Sequence, residues 1–183
     1  MIRDGAGTDA GRLAEIFVAA WRAGYRGVVP DQVIDALDVG AWAATFGELL
    51  PSATFRTAIW CSDDGRPLGF TRFGPDPELQ RSDAGYLASL YVDPAAAGRR
   101  IGRTLLEHAV AELTADGRTR QALWVFGGNH RARKLYALAG FDATGGRRTD
   151  PRWGAEQLHY VRGIAGDQTA TPKSLAIPVR PDA

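Results

Sequence analysis

The chain is poor in cysteine: Cys61 is the single one in 183 residues. That excludes an internal disulfide framework and fits a reducing cytoplasm. Cys61 sits in a strand-like run, where packing is the expected role rather than reactivity. Long apolar runs are lacking too, and none approaches the roughly 18 residues of a membrane span. Met1–Ala10 is polar and has no apolar segment of the secretory kind. Charge of one sign is not in excess. Lys and Arg number 22 against 21 Asp and Glu, a formal net charge of +1. Neither a nucleic-acid partner nor disorder follows from such a balance. His108, His130 and His159 are scattered, so no metal site is expected. No repeat is visible. What remains is one domain of ordinary size, 45% apolar, long enough to bury a core.

The informative stretch is Leu87–Leu106, LASLYVDPAAAGRRIGRTLL. Leu87–Val92 reads as a strand, and Asp93-Pro94 stops it. Ala95–Gly98 forms a small-residue loop. From there Ile101, Leu105, Ala109 and Leu113 recur at helical spacing, so a helix is expected from near Arg100. A strand, a glycine-containing loop and a helix start together make an anion site, because unpaired N–H groups converge. Arg99, Arg100 and Arg103 stand at that helix start, where cations oppose the helix dipole. A bound polyanion would reverse the sign. A solvated basic turn is the competing explanation.

A second stretch follows the expected strand Gln121–Phe126: GGNHRARKLYALAGF, residues 127–141. Asn129 can cap a helix and Gly140 can end it. Asn129 and Tyr136 lie two turns apart and share a face with Ala132. Together the two stretches resemble the acetyl-CoA core of the GNAT superfamily of N-acetyltransferases. That family has an (Arg/Gln)-x-x-Gly-x-(Gly/Ala) turn after its fourth strand. After its fifth it has an Asn-x-x-Ala-x-x-x-Tyr-x-x-x-Gly-Phe helix. Asn129, Ala132, Tyr136, Gly140 and Phe141 match the second pattern throughout. The first is matched in part: Ala97 replaces Arg/Gln, Arg100 replaces the first Gly, Gly102 is kept, and Gly98 stands where many members have an extra glycine. The resemblance covers roughly residues 2–163. The domain is placed at 1–164 and a mobile C-terminal tail at 165–183.

The resemblance implies an α/β fold of the α+β, three-layer kind. Its sheet is mixed, mostly antiparallel, of six to seven strands, with helices on both faces and a splay between strands 4 and 5. It implies acetyl-CoA as cosubstrate, no metal, and transfer of the acetyl group to a primary amine of a small molecule in the cytoplasm. A homodimer is compatible with it. Pantetheine would lie against Leu90, Tyr91 and Val92. The pyrophosphate would meet N–H groups across Gly98, Arg99, Arg100, Ile101, Gly102, Arg103 and Thr104. Asn129 would bond the pantetheine amide, or only cap its helix. Tyr136 would be the general acid, since a pKa near 10 keeps its hydroxyl protonated at neutral pH. A core tyrosine is the competing reading of Tyr136. Protein N-terminal or lysine acetylation and non-catalytic acyl-CoA binding are the alternatives for the whole chain.

Arg100 has two options. A left-handed backbone would cost it roughly 1–2 kcal/mol. A helical backbone costs nothing and adds charge, and the helical one is expected. No general base stands out. Tyr86 occupies the position where many relatives carry a glutamate, and a tyrosine is a poor base at neutral pH. Asp83, Glu48, His159 and Glu156 are the other candidates, and water or backbone carbonyls suffice for an amine that arrives neutral. The acceptor site is expected from residues 21–35, 74–84 and 147–155. Tyr25, Tyr86 and Trp153 are candidate substrate contacts, whereas Trp21 and Trp42 read as core anchors.

The remaining elements follow in order. A strand at Ile2–Asp4 precedes a helix through about Ala23, then a short helix after Pro30 and another over Val39–Leu50. A hairpin joins Thr54–Cys61 to Pro67–Phe73 around Asp63-Asp64-Gly65. The strand from Tyr86, helix 100–115, strand 120–126 and helix 129–139 lead to a closing pair, Phe141–Arg147 and Glu156–Gly163.

Overall fold

The computed structural model describes residues 1–79 and 81–163. The expected tail at 165–183 lies outside them. Seven strands form one sheet in the order β1-β2-β3-β4-β5-β7-β6. They are β1 (Ile2–Asp4), β2 (Arg56–Cys61), β3 (Pro67–Pro75), β4 (Ala84–Val92), β5 (Arg120–Phe126), β6 (Asp142–Asp150) and β7 (Ala155–Arg162). The helices are α1 (Ala10–Gly24), α2 (Asp31–Asp35), α3 (Val39–Leu49), α4 (Ile101–Ala115) and α5 (His130–Leu138). The element order is the one expected. β6 runs on to Asp150 because Thr149 and Asp150 pair with Glu156 and Ala155, which shortens the final loop.

One face of the sheet is covered by α1, α2 and α3. Leu13, Ile16, Phe17 and Trp21 of α1 pack there with Ile34, Phe46, Ile59 and Phe70. The spacing of that stripe is why α1 is a helix at all. α4 and α5 cover the other face, through Leu105, Leu106, Leu113 and Tyr136. Asp38 caps α3 by accepting from Ala41 N at 2.8 Å, and Asn129 caps α5 by accepting from Ala132 N at 3.0 Å. Among the described residues no helix is long and apolar enough to cross a membrane.

Two irregularities position the site. β4 and β5 run parallel and pair only at Ala84↔Arg120, Gly85↔Gln121 and Tyr86↔Ala122. Beyond Tyr86 the two strands diverge, and each leaves an unpaired edge. β4 also carries a bulge against β3, since Arg72 opposes Ser89 and Phe73 opposes Leu87. The extra residue, Ala88, turns the strand just where the divergence begins.

Candidate active site

The divergence opens a cavity of about 720 Å³. Its basic end is built by the turn between β4 and α4. Asp93 Oδ1 accepts from Ala95 N at 3.0 Å, and Pro94 starts a single 3-10 turn. Ala97 is extended, with ψ 151. The chain must then reverse into α4 within a few residues. Two left-handed residues do this: Gly98 at φ 83 and Arg100 at φ 61. The helical backbone expected at Arg100 is therefore corrected. Arg100 precedes α4 and does not belong to it, and it carries the roughly 1–2 kcal/mol cost of the left-handed region.

The first bond of α4 runs from Thr104 N to Arg100 O, at 3.0 Å. The N–H groups of Ile101, Gly102 and Arg103 come before it and have no intrahelical acceptor. Gly98, Arg100, Ile101, Gly102 and Arg103 line the cavity beside Leu90, Tyr91 and Val92 of β4. Two residues of the expected set do not. Thr104 spends its N–H on Arg100 O, and its hydroxyl bonds the same oxygen at 3.2 Å. Arg99 lays its guanidinium over the Trp60 ring, 5.5 Å from the centroid. In their place α5 contributes Arg131 and Lys134. The repeat of cations along HRARK was the signal for them.

Asn129 and Tyr136 also line the cavity. Asn129 caps α5 with its carbonyl and donates from Nδ2 to the Tyr25 hydroxyl at 3.3 Å. Tyr136 is 8% exposed, and its ring stands edge-on to Phe141 at 6.1 Å. Its hydroxyl has no hydrogen-bond partner among the described residues. Burial, with Tyr25 and Tyr86 facing it, pushes its pKa well above the ordinary tyrosine range. Burial likewise moves Tyr25 and Tyr86 up to about 12.

The far end is aromatic. Trp21 stacks on Tyr25 at 4.5 Å and lies 4.4 Å from Trp153, which in turn stacks on Trp42 at 6.3 Å. Trp21 Nε1 donates to the Tyr91 hydroxyl at 3.2 Å. Tyr25, Tyr86 and Trp153 line the cavity, and so do Trp21 and Trp42. The split between core and wall thus does not hold. The divergence of β4 and β5 opens the core itself, so Trp21, 1% exposed, serves both. The described residues among 74–84 give no lining residue. Their Glu78 acts one layer behind, accepting from Trp124 Nε1 at 3.2 Å and from Arg148 Nη1 at 2.8 Å.

None of the four carboxylate or histidine bases suggested by the sequence reaches the cavity. Asp83 is half-buried and paired with Arg81 at 3.0 Å, Glu156 is paired with Arg147 at 3.0 Å, and Glu48 is exposed on α3. The lining carboxylates among the described residues are Asp93, bonded to Arg12, and Asp150, bonded to Arg152 at 2.6 Å. Burial raises the Asp150 carboxyl, but the Arg152 bonds outweigh it and hold it below the ordinary range. Among the described residues no cluster of His, Cys, Asp and Glu is placed to hold a metal ion.

His159 has a different role. It faces Trp124 at 4.8 Å, with Nδ1 against Thr144 Oγ1 at 2.9 Å. Burial, with Arg120 and Arg148 adding to it, lowers its pKa to about 4. The unfolded chain titrates near 6.5. Between those values the unfolded state binds more protons, so stability falls as pH drops from about 6.5 toward 4. His159→Gln is expected to flatten that slope, read as the urea midpoint across the window. An unchanged slope would assign it to other groups.

The family model described as "Acetyltransferase (GNAT) family" matches residues 13–141. A mycothiol acetyltransferase of Beutenbergia cavernae is 47% identical over 57 residues, 31% of this chain and 19% of that protein. An uncharacterised N-acetyltransferase of Mycobacterium tuberculosis is 28% identical over 143 residues, 76% of this chain and 87% of that one. The chain thus spans about a fifth of the length of the mycothiol acetyltransferases that it matches. Among solved structures, the PaiA N-acetyltransferase of Thermoplasma acidophilum in complex with coenzyme A superposes with TM-score 0.73 at 18% identity, over 90% of this chain and 98% of that one. A GCN5-related N-acetyltransferase of Kribbella flavida gives TM-score 0.70 at 21% identity, over 90% and 97%. The match over residues 13–141, on a sheet that parts between its fourth and fifth strands, makes this chain a member of the GNAT acetyltransferase family.

Proposed function

We propose that the protein transfers an acetyl group from acetyl-CoA to a primary amine of a small molecule. The observation that carries this is the unpaired edge of β4 beyond Tyr86, open to a cavity that is cationic at one end and aromatic at the other. Acetyl-CoA fits both features. Its pantetheine amides can add to the edge at Leu90–Val92 as an extended strand does. Its phosphates suit the uncommitted N–H groups at the start of α4, with Arg100, Arg103, Arg131 and Lys134 around them. When bound it supplies an activated acyl group as a thioester.

The protein's own part is positional and electrostatic. A backbone N–H of the β4 strip polarises the acyl carbonyl. The Tyr136 hydroxyl, uncommitted and protonated at neutral pH, is the proton donor to the departing sulfur. Burial raises its pKa, which keeps the hydroxyl protonated until the departing thiolate takes the proton. The lining carboxylates are held by arginines, so the amine has to enter neutral; as its C–N bond forms and the C–S bond breaks, its nitrogen gives up one proton to water. The rings of Trp21, Trp42 and Trp153 favour a small acceptor over a protein chain.

The test pairs two readouts. CoA and desulfo-CoA are both expected to raise the melting temperature, since only the folded state holds them. Thiol release from acetyl-CoA across an amine panel is expected for a subset of amines. No shift with either nucleotide at millimolar concentration overturns the assignment of acetyl-CoA. A shift without release for any amine favours a binding module.

A further inference from the structure

Arg72 and Ser89 face each other across β3 and β4, and both line the cavity. Arg72 is 8% exposed. Its Nε donates to Thr57 Oγ1 at 3.3 Å and its Nη2 to Leu49 O at 3.2 Å. The guanidinium lies over the Phe55 ring at 5.6 Å. All of these partners are neutral. Among the described residues no carboxylate comes within ion-pair distance of it. Two other arginines of this end of the cavity differ. Arg148 is bonded to Glu78 at 2.8 Å and Arg152 to Asp150 at 2.6 Å. Ser89 Oγ is buried and has no hydrogen-bond partner among the described residues.

A buried cation without a counter-ion and a buried hydroxyl without a partner are each unfavourable. Here the two are neighbours on one wall. Burial alone shifts the Arg72 guanidinium, downward, and no acid offsets it. A carboxylate would answer both groups at once, accepting from the guanidinium and from the hydroxyl. CoA itself is a poor candidate for this anion. Its phosphates belong at the start of α4, whereas Ser89 precedes the Leu90–Val92 strip and Arg72 sits with Phe46 and Leu49 at the aromatic end. On the reading that this cleft is the acetyl-transfer site, we propose that the acceptor amine also carries a carboxylate, which Arg72 and Ser89 hold. The acid then decides which amines are acetylated, and it leaves the reaction unchanged.

The experiment compares α-, β- and γ-amino acids with their amides, by thiol release from acetyl-CoA. In wild type, kcat/KM for at least one acid is expected to exceed that of its amide by 30-fold or more. Arg72→Gln should bring that ratio below threefold, with Arg72→Lys between. A ratio that survives Arg72→Gln overturns the assignment. If Arg72→Gln does not fold, Ser89→Ala takes its place, with a threefold fall in the ratio expected and no change overturning it. Should no amine release thiol, the melt of CoA-saturated wild type with N-acetyl amino acids and their amides decides. Acids are expected to stabilise more, and equal shifts overturn the proposal. Amides that match acids in every readout remove the carboxylate site and leave acetyl transfer standing. Failure of CoA to bind removes acetyl transfer instead, and the acids' own melt shift without CoA then decides on the anion site.

Discussion

Tyr136→Phe is expected to lower kcat about 10²-fold, the usual worth of a positioned acid. The KM for acetyl-CoA should move little, because the hydroxyl acts after binding. The substitution keeps the ring against Phe141 and deletes one oxygen. That oxygen has no partner among the described residues, so stability should change by less than about 1 kcal/mol. A purely structural tyrosine gives the opposite pattern, altered melting with normal turnover. Steady-state kinetics and a thermal melt on one preparation separate the two. Retention of more than a third of wild-type kcat would move the proton to water or to the incoming ammonium, and the general-acid role would be withdrawn.

Reversing charge at Arg100 and Lys134 together, both to Glu, is expected to weaken CoA binding by about 10²-fold, or ~2.7 kcal/mol. Both residues line the cavity, Arg100 at the start of α4 and Lys134 on α5. At Arg100 an acid suits the helix start, so the unliganded protein should not lose stability. The loss should shrink at 1 M salt, where the Debye length is about 3 Å. Arg99→Glu is the matched control, expected to cost less than threefold, because that guanidinium lies over Trp60. Isothermal titration at two salt concentrations checks all three variants. Equal losses from Arg99→Glu and the double reversal would move the pyrophosphate away from the start of α4.

The sequence made the element order legible, because hydrophobic period and turn residues agree along most of the chain. Asn129 and Tyr136 were singled out through the resemblance to the family's helix pattern, and both line the cavity. A helical spacing of two turns brings them to one face, and the cap at Asn129 sets where the helix starts. Arg100 was not legible. Its left-handed backbone answers a reversal forced by the extended Ala97, and nothing in a run of arginines encodes that demand. The burial of Arg72 was hidden as well. An arginine between Thr71 and Phe73 reads as one solvent-facing step of an alternating strand. The end of α3 covers it instead, with Leu49 O accepting from its Nη2. Glu78 escaped because the arginine it neutralises, Arg148, lies 70 residues further along the chain.

The short parallel seam between β4 and β5 has a consequence for association. A sheet interrupted in its middle exposes two strand edges, and open edges invite pairing with other chains. Here both edges lie inside a wedge that narrows to the pairs at Ala84–Tyr86. Neither edge is an outer border of the sheet, which β1 and β6 form. A single thread with amides along its length can enter. Selection against self-aggregation and selection for a slender extended guest are therefore met by one geometric device, the angle at which two neighbouring strands part.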